Sequence, residues 1–97
     1  MTREQYLLIS LMEECAEVQQ RASKALRFGL GDTPPDSTET NAELITKEFG
    51  DALALFTMME EEGLVKEPSR DHFLRKKLKV KIWSRYSQKR GILKKRI

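Results

Sequence analysis

The sequence is poor in the residues that build disulfides and sulfur- or imidazole-ligated metal sites. Its 97 residues include one cysteine, Cys15, and one histidine, His72. A single cysteine excludes an internal disulfide framework and is what a chain in a reducing, cytoplasmic compartment is expected to carry. Zinc is not expected. The same lack argues against a ferritin-like di-iron centre, which needs a Glu-x-x-His motif on each of two helices. No apolar run approaches the roughly 20 residues of a membrane span, so no membrane partner is expected. The opening MTREQYLLIS meets acids at once and lacks the apolar core of a signal peptide. Repeats and low-complexity segments are missing, and no stretch alternates convincingly as a strand. A phosphate-binding P-loop is missing too: GLGD at 29–32 follows a helical pattern and lacks the Lys-Ser/Thr ending.

What the chain has is charge, unevenly placed. Residues 1–63 hold 5 Lys/Arg against 13 Asp/Glu, a net of −8, while residues 64–97 hold 13 against 2, a net of +11. An acidic front and a basic back fit a cation site served by an anion-attracting element, or a nucleic-acid-binding tail. The length is that of one small domain, 1–97, divided into an acidic helical hairpin over 1–63 and a basic helix and tail over 64–97.

Three helices are predicted. The first opens with Thr2 and Gln5 as a capping box and runs to about Phe28, where Gly29, Gly31 and Pro34-Pro35 stop it. Residues 29–40 form a turn-rich loop. Thr40 and Glu43 make a second capping box, starting a helix that lasts to about Glu62 and ends at Gly63. After Pro68 a third helix runs from Ser69 to the late eighties, before Gly91. Its apolar set, Phe73, Leu74, Leu78, Ile82 and Trp83 with Tyr86 nearby, is expected to dock on the first two helices; the end, ILKKRI, is expected to fray.

The acids of the first two helices fall in unexpected places. Leu7, Leu11, Glu14 and Val18 recur at spacings of four, three and four, which puts Glu14 inside the apolar stripe. On the second helix Leu44, Glu48, Asp51, Leu55 and Met58 follow the same kind of seam with its centre acidic. Glu17 lies three residues after Glu14, as Asp51 does after Glu48, and residues three apart share a helix face. Isolated acid pairs of this kind are ordinarily solvated. Two of them in facing seams bring four carboxylates to one point, which needs proton uptake, basic partners or a divalent cation. Bases are few in this half, and an oxygen-only ligand set suits Mg²⁺, with Mn²⁺ as the alternative.

EECAE (Glu13, Glu14, Glu17) followed by EFGD (Glu48, Asp51) resembles the EExxE…ExxD signature of the MazG-like all-α nucleoside triphosphate pyrophosphatases, over about residues 7–59. The resemblance implies that Glu14, Glu17, Glu48 and Asp51 hold Mg²⁺. It also implies that Glu13 is the accessory catalytic acid, holding a further ion or orienting the attacking water. The reaction it implies is hydrolysis of a nucleoside or deoxynucleoside triphosphate to monophosphate and pyrophosphate. Such chemistry needs no nucleophilic side chain. Cys15, without a histidine at helical spacing, is expected to pack, and His72 is assigned no chemistry.

Lys24, seven residues past Glu17 and roughly 10 Å along the axis, is a candidate substrate contact, although a solvated face accounts for it as well. The basic third helix is open to three readings: a solvated outer face, a cover for the site with Lys81 or Arg85 on phosphates, or a nucleic-acid surface; the expectation is a docked helix whose cations raise the local nucleotide concentration. The expected architecture is all-α, two long antiparallel helices per chain pairing with a second copy into a four-helix bundle, as a homodimer or homotetramer, with the basic helix added. Two rivals remain: a non-catalytic helical nucleic-acid-binding protein, and a dimer whose metal serves folding alone.

Overall fold

A computed structural model describes residues 1–95 of the chain, and every regular element in it is helical: α1 Arg3–Phe28, α2 Asn41–Glu61 and α3 Arg70–Lys89. The chain separates into two units, Met1–Lys66 and Glu67–Ile97. The division falls close to the change of charge between residues 63 and 64. Among the described residues no helix is long and apolar enough to cross a membrane. The last two residues of ILKKRI lie outside the described residues.

Unit 1 is an antiparallel hairpin whose boundaries are set locally. Thr2 Oγ1 accepts from the Gln5 amide at 3.1 Å while Gln5 Oε1 accepts from the Thr2 amide at 2.9 Å, so two otherwise unpaired donors are satisfied at the start of α1. Thr40 and Glu43 repeat the exchange at the start of α2, at 3.2 Å in both directions. α1 ends where Gly29 takes φ +100°, a conformation that a Cβ disfavours, and donates its amide to Ala25 O. At the far end of the hairpin Arg3 Nη2 donates to Glu62 Oε2 at 3.0 Å. Asn41 ties the loop end: its Nδ2 donates to Gly29 O at 2.9 Å and its amide to Asp32 O at 2.9 Å.

The seam of α1 is the one its spacing predicts. Leu7 and Ala25 are buried, and Leu11, Glu14, Val18 and Arg21 between them are half-buried. On α2 the seam differs from expectation. It runs through Glu48, Ala52, Leu55 and Met59, so Asp51 and Met58 stand one position outside it and are exposed. The reason is physical. From Glu48, steps of three then four and steps of four then three both give a 3.5-residue repeat; the two tracks share Leu55 and end on a methionine, Met58 or Met59, and differ between Asp51 and Ala52. Ala52 is the smaller residue and lets α1 approach, and Met59 fills the space beyond it.

Unit 2 contains α3, capped by Ser69, whose Oγ accepts from the His72 amide at 3.0 Å. None of its residues is buried, and the apolar set predicted to dock is exposed. Trp83 and Tyr86 meet edge to face with centroids 5.5 Å apart, and Lys77 lies 5.3 Å over the Phe73 ring.

Candidate metal centre

Glu14 reaches the site because α1 presents it in the half-buried seam between Leu11 and Val18. Glu48 does the same from α2, one turn before Ala52. Asp51, on the next turn of α2, comes from the exposed flank. One carboxylate oxygen from each of Glu14, Glu48 and Asp51 lies within 4.8 Å of the other two. Three of the four acids expected to converge therefore do so.

Glu17 does not join this group and is exposed on α1, as is Glu13. Both still act on the site through their charge. The Glu14 carboxyl is pushed above the ordinary carboxylate range, first by desolvation, then by Asp51, Glu48, Glu17 and Glu13. Lys47, the base beside Glu48 in the sequence, is bound to Glu39 at 2.6 Å, an interaction that raises the lysine's pKa. That ammonium is engaged first by Glu39 and acts on Asp51 only as a smaller, longer-range charge.

The donor set fits a hard divalent cation. Oxygens sharing one Mg²⁺ lie about 2.0–2.1 Å from it and hence at most roughly 4.2 Å apart. The triad's oxygens, within 4.8 Å of one another, would draw together to share one ion. Three carboxylates also leave room in a six-coordinate shell for water and phosphate oxygens, which Mg²⁺ retains readily. Zinc is a poor match, because neither thiolate nor imidazole belongs to the group.

Comparison with known proteins gives no match: no family model fits the chain, and no curated protein or solved structure matches it significantly.

The geometry is therefore what speaks for a function. Lys24, the first of the candidate substrate contacts, sits at the loop end of the hairpin in the wall of a cavity with Phe28 and Asn41. Lys81 and Arg85 are exposed on α3, four residues apart and so on one face. Cys15 is exposed rather than packed. Its helix position turns it away from the seam occupied by Glu14, and a packing role within the hairpin is thereby corrected.

Asn41 and Phe28 were not legible as site residues. Asn41 follows a threonine cap and reads as an ordinary first-turn residue, and Phe28 reads as the last apolar position of α1. The one available signal was an asparagine directly after a capping residue and a Gly-rich loop. Only its burial, at 1% exposure, distinguishes it.

Proposed function

We propose that the protein is a Mg²⁺-dependent nucleoside triphosphate pyrophosphohydrolase, converting an NTP or dNTP and water into the monophosphate and pyrophosphate. The observation that supports this reading best is the meeting of Glu14, Glu48 and Asp51 oxygens within 4.8 Å, two of the three from half-buried seam positions. Helix seams ordinarily bury apolar groups, so two carboxylates there cost stability unless a ligand compensates them. The arrangement is similar in kind to the EExxE…ExxD pattern of the MazG-like pyrophosphatases.

In this reading Glu14, Glu48 and Asp51 would hold the ion, and Glu17 is the fourth acid that the motif position implies. Mg²⁺ (or Mn²⁺), when bound, supplies charge screening of the triphosphate and Lewis acidity at phosphorus. Glu13, exposed and adjacent to Glu14, aligns the attacking water and accepts its proton. The water oxygen forms the new bond to phosphorus, the bridge between the α- and β-phosphates breaks, and pyrophosphate leaves. Lys24 draws the nucleotide toward the loop end of the hairpin. Lys81 and Arg85 raise the local concentration of the anionic substrate.

The proposed assembly is a homodimer, or a homotetramer built from it, in which two hairpins form a four-helix bundle. Apolar side chains left exposed on unit 1 support this: Leu8, Ile9 and Met12 on α1, Phe49 and Leu53 on α2. A two-helix hairpin buries too little surface to account for them alone.

A panel of NTPs and dNTPs with Mg²⁺, scored for pyrophosphate against orthophosphate, tests the reaction. Pyrophosphate from at least one substrate is expected. Release of orthophosphate instead would place the cleavage elsewhere, and no release from any of them would defeat the reading.

A second reading draws on unit 2. On α3 the exposed Trp83 and Tyr86 lie among lysines and arginines, a combination that stacks bases and neutralises phosphates. Nucleic-acid binding by this helix would fall steeply with salt and would be indifferent to Glu48→Ala. An acid site that serves dimer folding alone would instead give metal-dependent stability without any turnover.

A further inference from the structure

Apart from the acid triad, unit 1 holds a cavity at the loop end of the hairpin. It has a volume of about 440 Å³, within the roughly 300–1,000 Å³ typical of small-molecule pockets. Its walls are Lys24 and Phe28 from α1, Asp32, Thr33, Pro34-Pro35 and Asp36 from the loop, and Asn41 from α2.

Its position relates it to the acids. Because α1 and α2 are antiparallel, going forward along α1 and backward along α2 both lead to the loop. Lys24 lies seven residues after Glu17, and Asn41 lies seven residues before Glu48. Seven residues are almost two full turns, so Asn41 stays on the face of Glu48, roughly 10 Å further along the axis, while Lys24 keeps the face of Glu17, outside the triad. A nucleotide whose phosphates lie at the acids can extend toward the loop, and there its nucleoside end meets this cavity.

The wall chemistry suits a base. Phe28 offers an exposed ring, and Arg27, 5.6 Å from its centroid, adds positive charge beside it. Rings of this kind stack nucleobases whatever their identity. The polar groups are more selective. Asp32 and Asp36 only accept hydrogen bonds when ionised. The Asn41 Nδ2 is committed to Gly29 O, which leaves its Oδ1 as a buried acceptor without a hydrogen-bond partner. Such a carbonyl is costly to leave unpaired. Lys24 and the Thr33 hydroxyl, which also accepts, are the other side-chain donors of the wall.

We infer that this cavity is the base-binding subsite of the nucleotide site, and that it selects bases carrying an exocyclic amine (adenine, cytosine, guanine) over uracil and thymine. The inference rests on the nucleotide reading given above. An amino edge supplies the N–H donors that the carboxylates of Asp32 and Asp36 accept. The carbonyl-flanked edge of uracil or thymine brings its oxygens against them, and a polar site left unpaired in this way discriminates strongly.

The test uses the full-length chain and two readouts. In the first, amide spectra are recorded during titration with dAMP, dCMP, dGMP, dTMP and dUMP without metal. The three amino-bearing monophosphates are expected to shift the signals of residues 28–36 and the Asn41 side chain, with dTMP and dUMP weaker by at least about tenfold. Equal binding of both groups, no binding of either, or shifts confined to other residues would overturn the inference. The second readout is the pyrophosphate assay on dCTP and dTTP with the double variant Asp32→Asn, Asp36→Asn. Both side chains are exposed, and Asp32 holds the loop through its backbone carbonyl, so the fold is expected to persist. The preference for dCTP is expected to fall by about tenfold toward unity. Pyrophosphate release with an unaltered preference would overturn the base subsite and leave the hydrolase standing. Selective monophosphate binding in the loop without any pyrophosphate would do the reverse.

Discussion

Asn41 Nδ2 donates to the Gly29 carbonyl at 2.9 Å, so the first turn of α2 is bonded to the residue that terminates α1. This bond, with the Asn41 amide on Asp32 O and the Ala42 amide on Leu30 O, fixes the loop against both helices. Asn41→Ala removes one largely buried hydrogen bond and is expected to destabilise the protein by about 1 kcal/mol. Asn41→Asp should cost more, because the carboxylate cannot donate to Gly29 and carries charge into a buried place. Urea unfolding followed by circular dichroism gives both values. An Asn41→Ala protein as stable as the unsubstituted chain would remove the donor role of Nδ2.

The acid site is expected to trade stability for binding. With Glu14 raised by desolvation and by its acidic neighbours, Glu14→Gln should increase the melting temperature of the metal-free protein at neutral pH. The same substitution should abolish the stabilisation produced by Mg²⁺. For the unsubstituted chain that stabilisation reaches about 2.7 kcal/mol when the ion is at 100 times its dissociation constant. Thermal melts with EDTA and with Mg²⁺ measure both effects. A lowered metal-free melting temperature would show that the carboxylate contributes stability there.

Turnover is expected to depend on Glu48 more than the fold does. Glu48→Gln keeps the shape of the side chain and removes its charge, and loss of pyrophosphate release by about 10²-fold or more is expected with an unchanged helical spectrum. Retained turnover would take Glu48 out of the ligand set.

The pH dependence has two opposed parts. Glu43 is lowered by the backbone and side-chain hydrogen bonds from Thr40, and Glu62 by its hydrogen bond from Arg3. Each contributes stability that is fully present above the unfolded value of about 4.3 and lost as pH falls through the lower folded value. Glu14 works the other way, since its charged form is penalised in the folded state. That penalty is present at neutral pH and is relieved as pH falls through the raised folded value toward the unfolded one. Metal-free melts should therefore show stability rising on mild acidification and falling in stronger acid. Glu14→Gln should remove the rise and leave the fall. A monotonic decline in the unsubstituted chain would contradict the assignment.

The hairpin core is small, so its few buried residues should matter greatly. Leu7 is 1% exposed and Met59 2%. Leu7→Ala or Met59→Ala is expected to cost about 2–5 kcal/mol, enough to unfold much of a marginal domain. Leu53→Asp, on the exposed apolar face, should instead leave the helices intact and shift sedimentation toward a monomer. A Leu53→Asp protein that sediments like the unsubstituted chain would exclude that face from the assembly.

The sequence by itself determined the helices and their ends. Capping boxes at Thr2 and Thr40, a serine cap at Ser69 and the stop at Gly29 act within a few residues, and local chemistry of that kind is readable from neighbours alone. It also placed Glu14 and Glu48 in the seams, because a residue framed by apolar neighbours one turn away on each side has little freedom to face elsewhere. Tertiary packing decided the rest. Ala52 rather than Asp51 took the seam of α2: the two tracks share Leu55 and end on Met58 or Met59, and the approach of α1 favours the small side chain over the charged one. Glu17 stayed outside the triad for a related reason: a three-residue step rotates a side chain by less than a full turn, and the facing helix lies on one side only. The cavity between Phe28, the Pro34-Pro35 loop and Asn41 was equally out of reach, since it depends on where the chain returns after the loop.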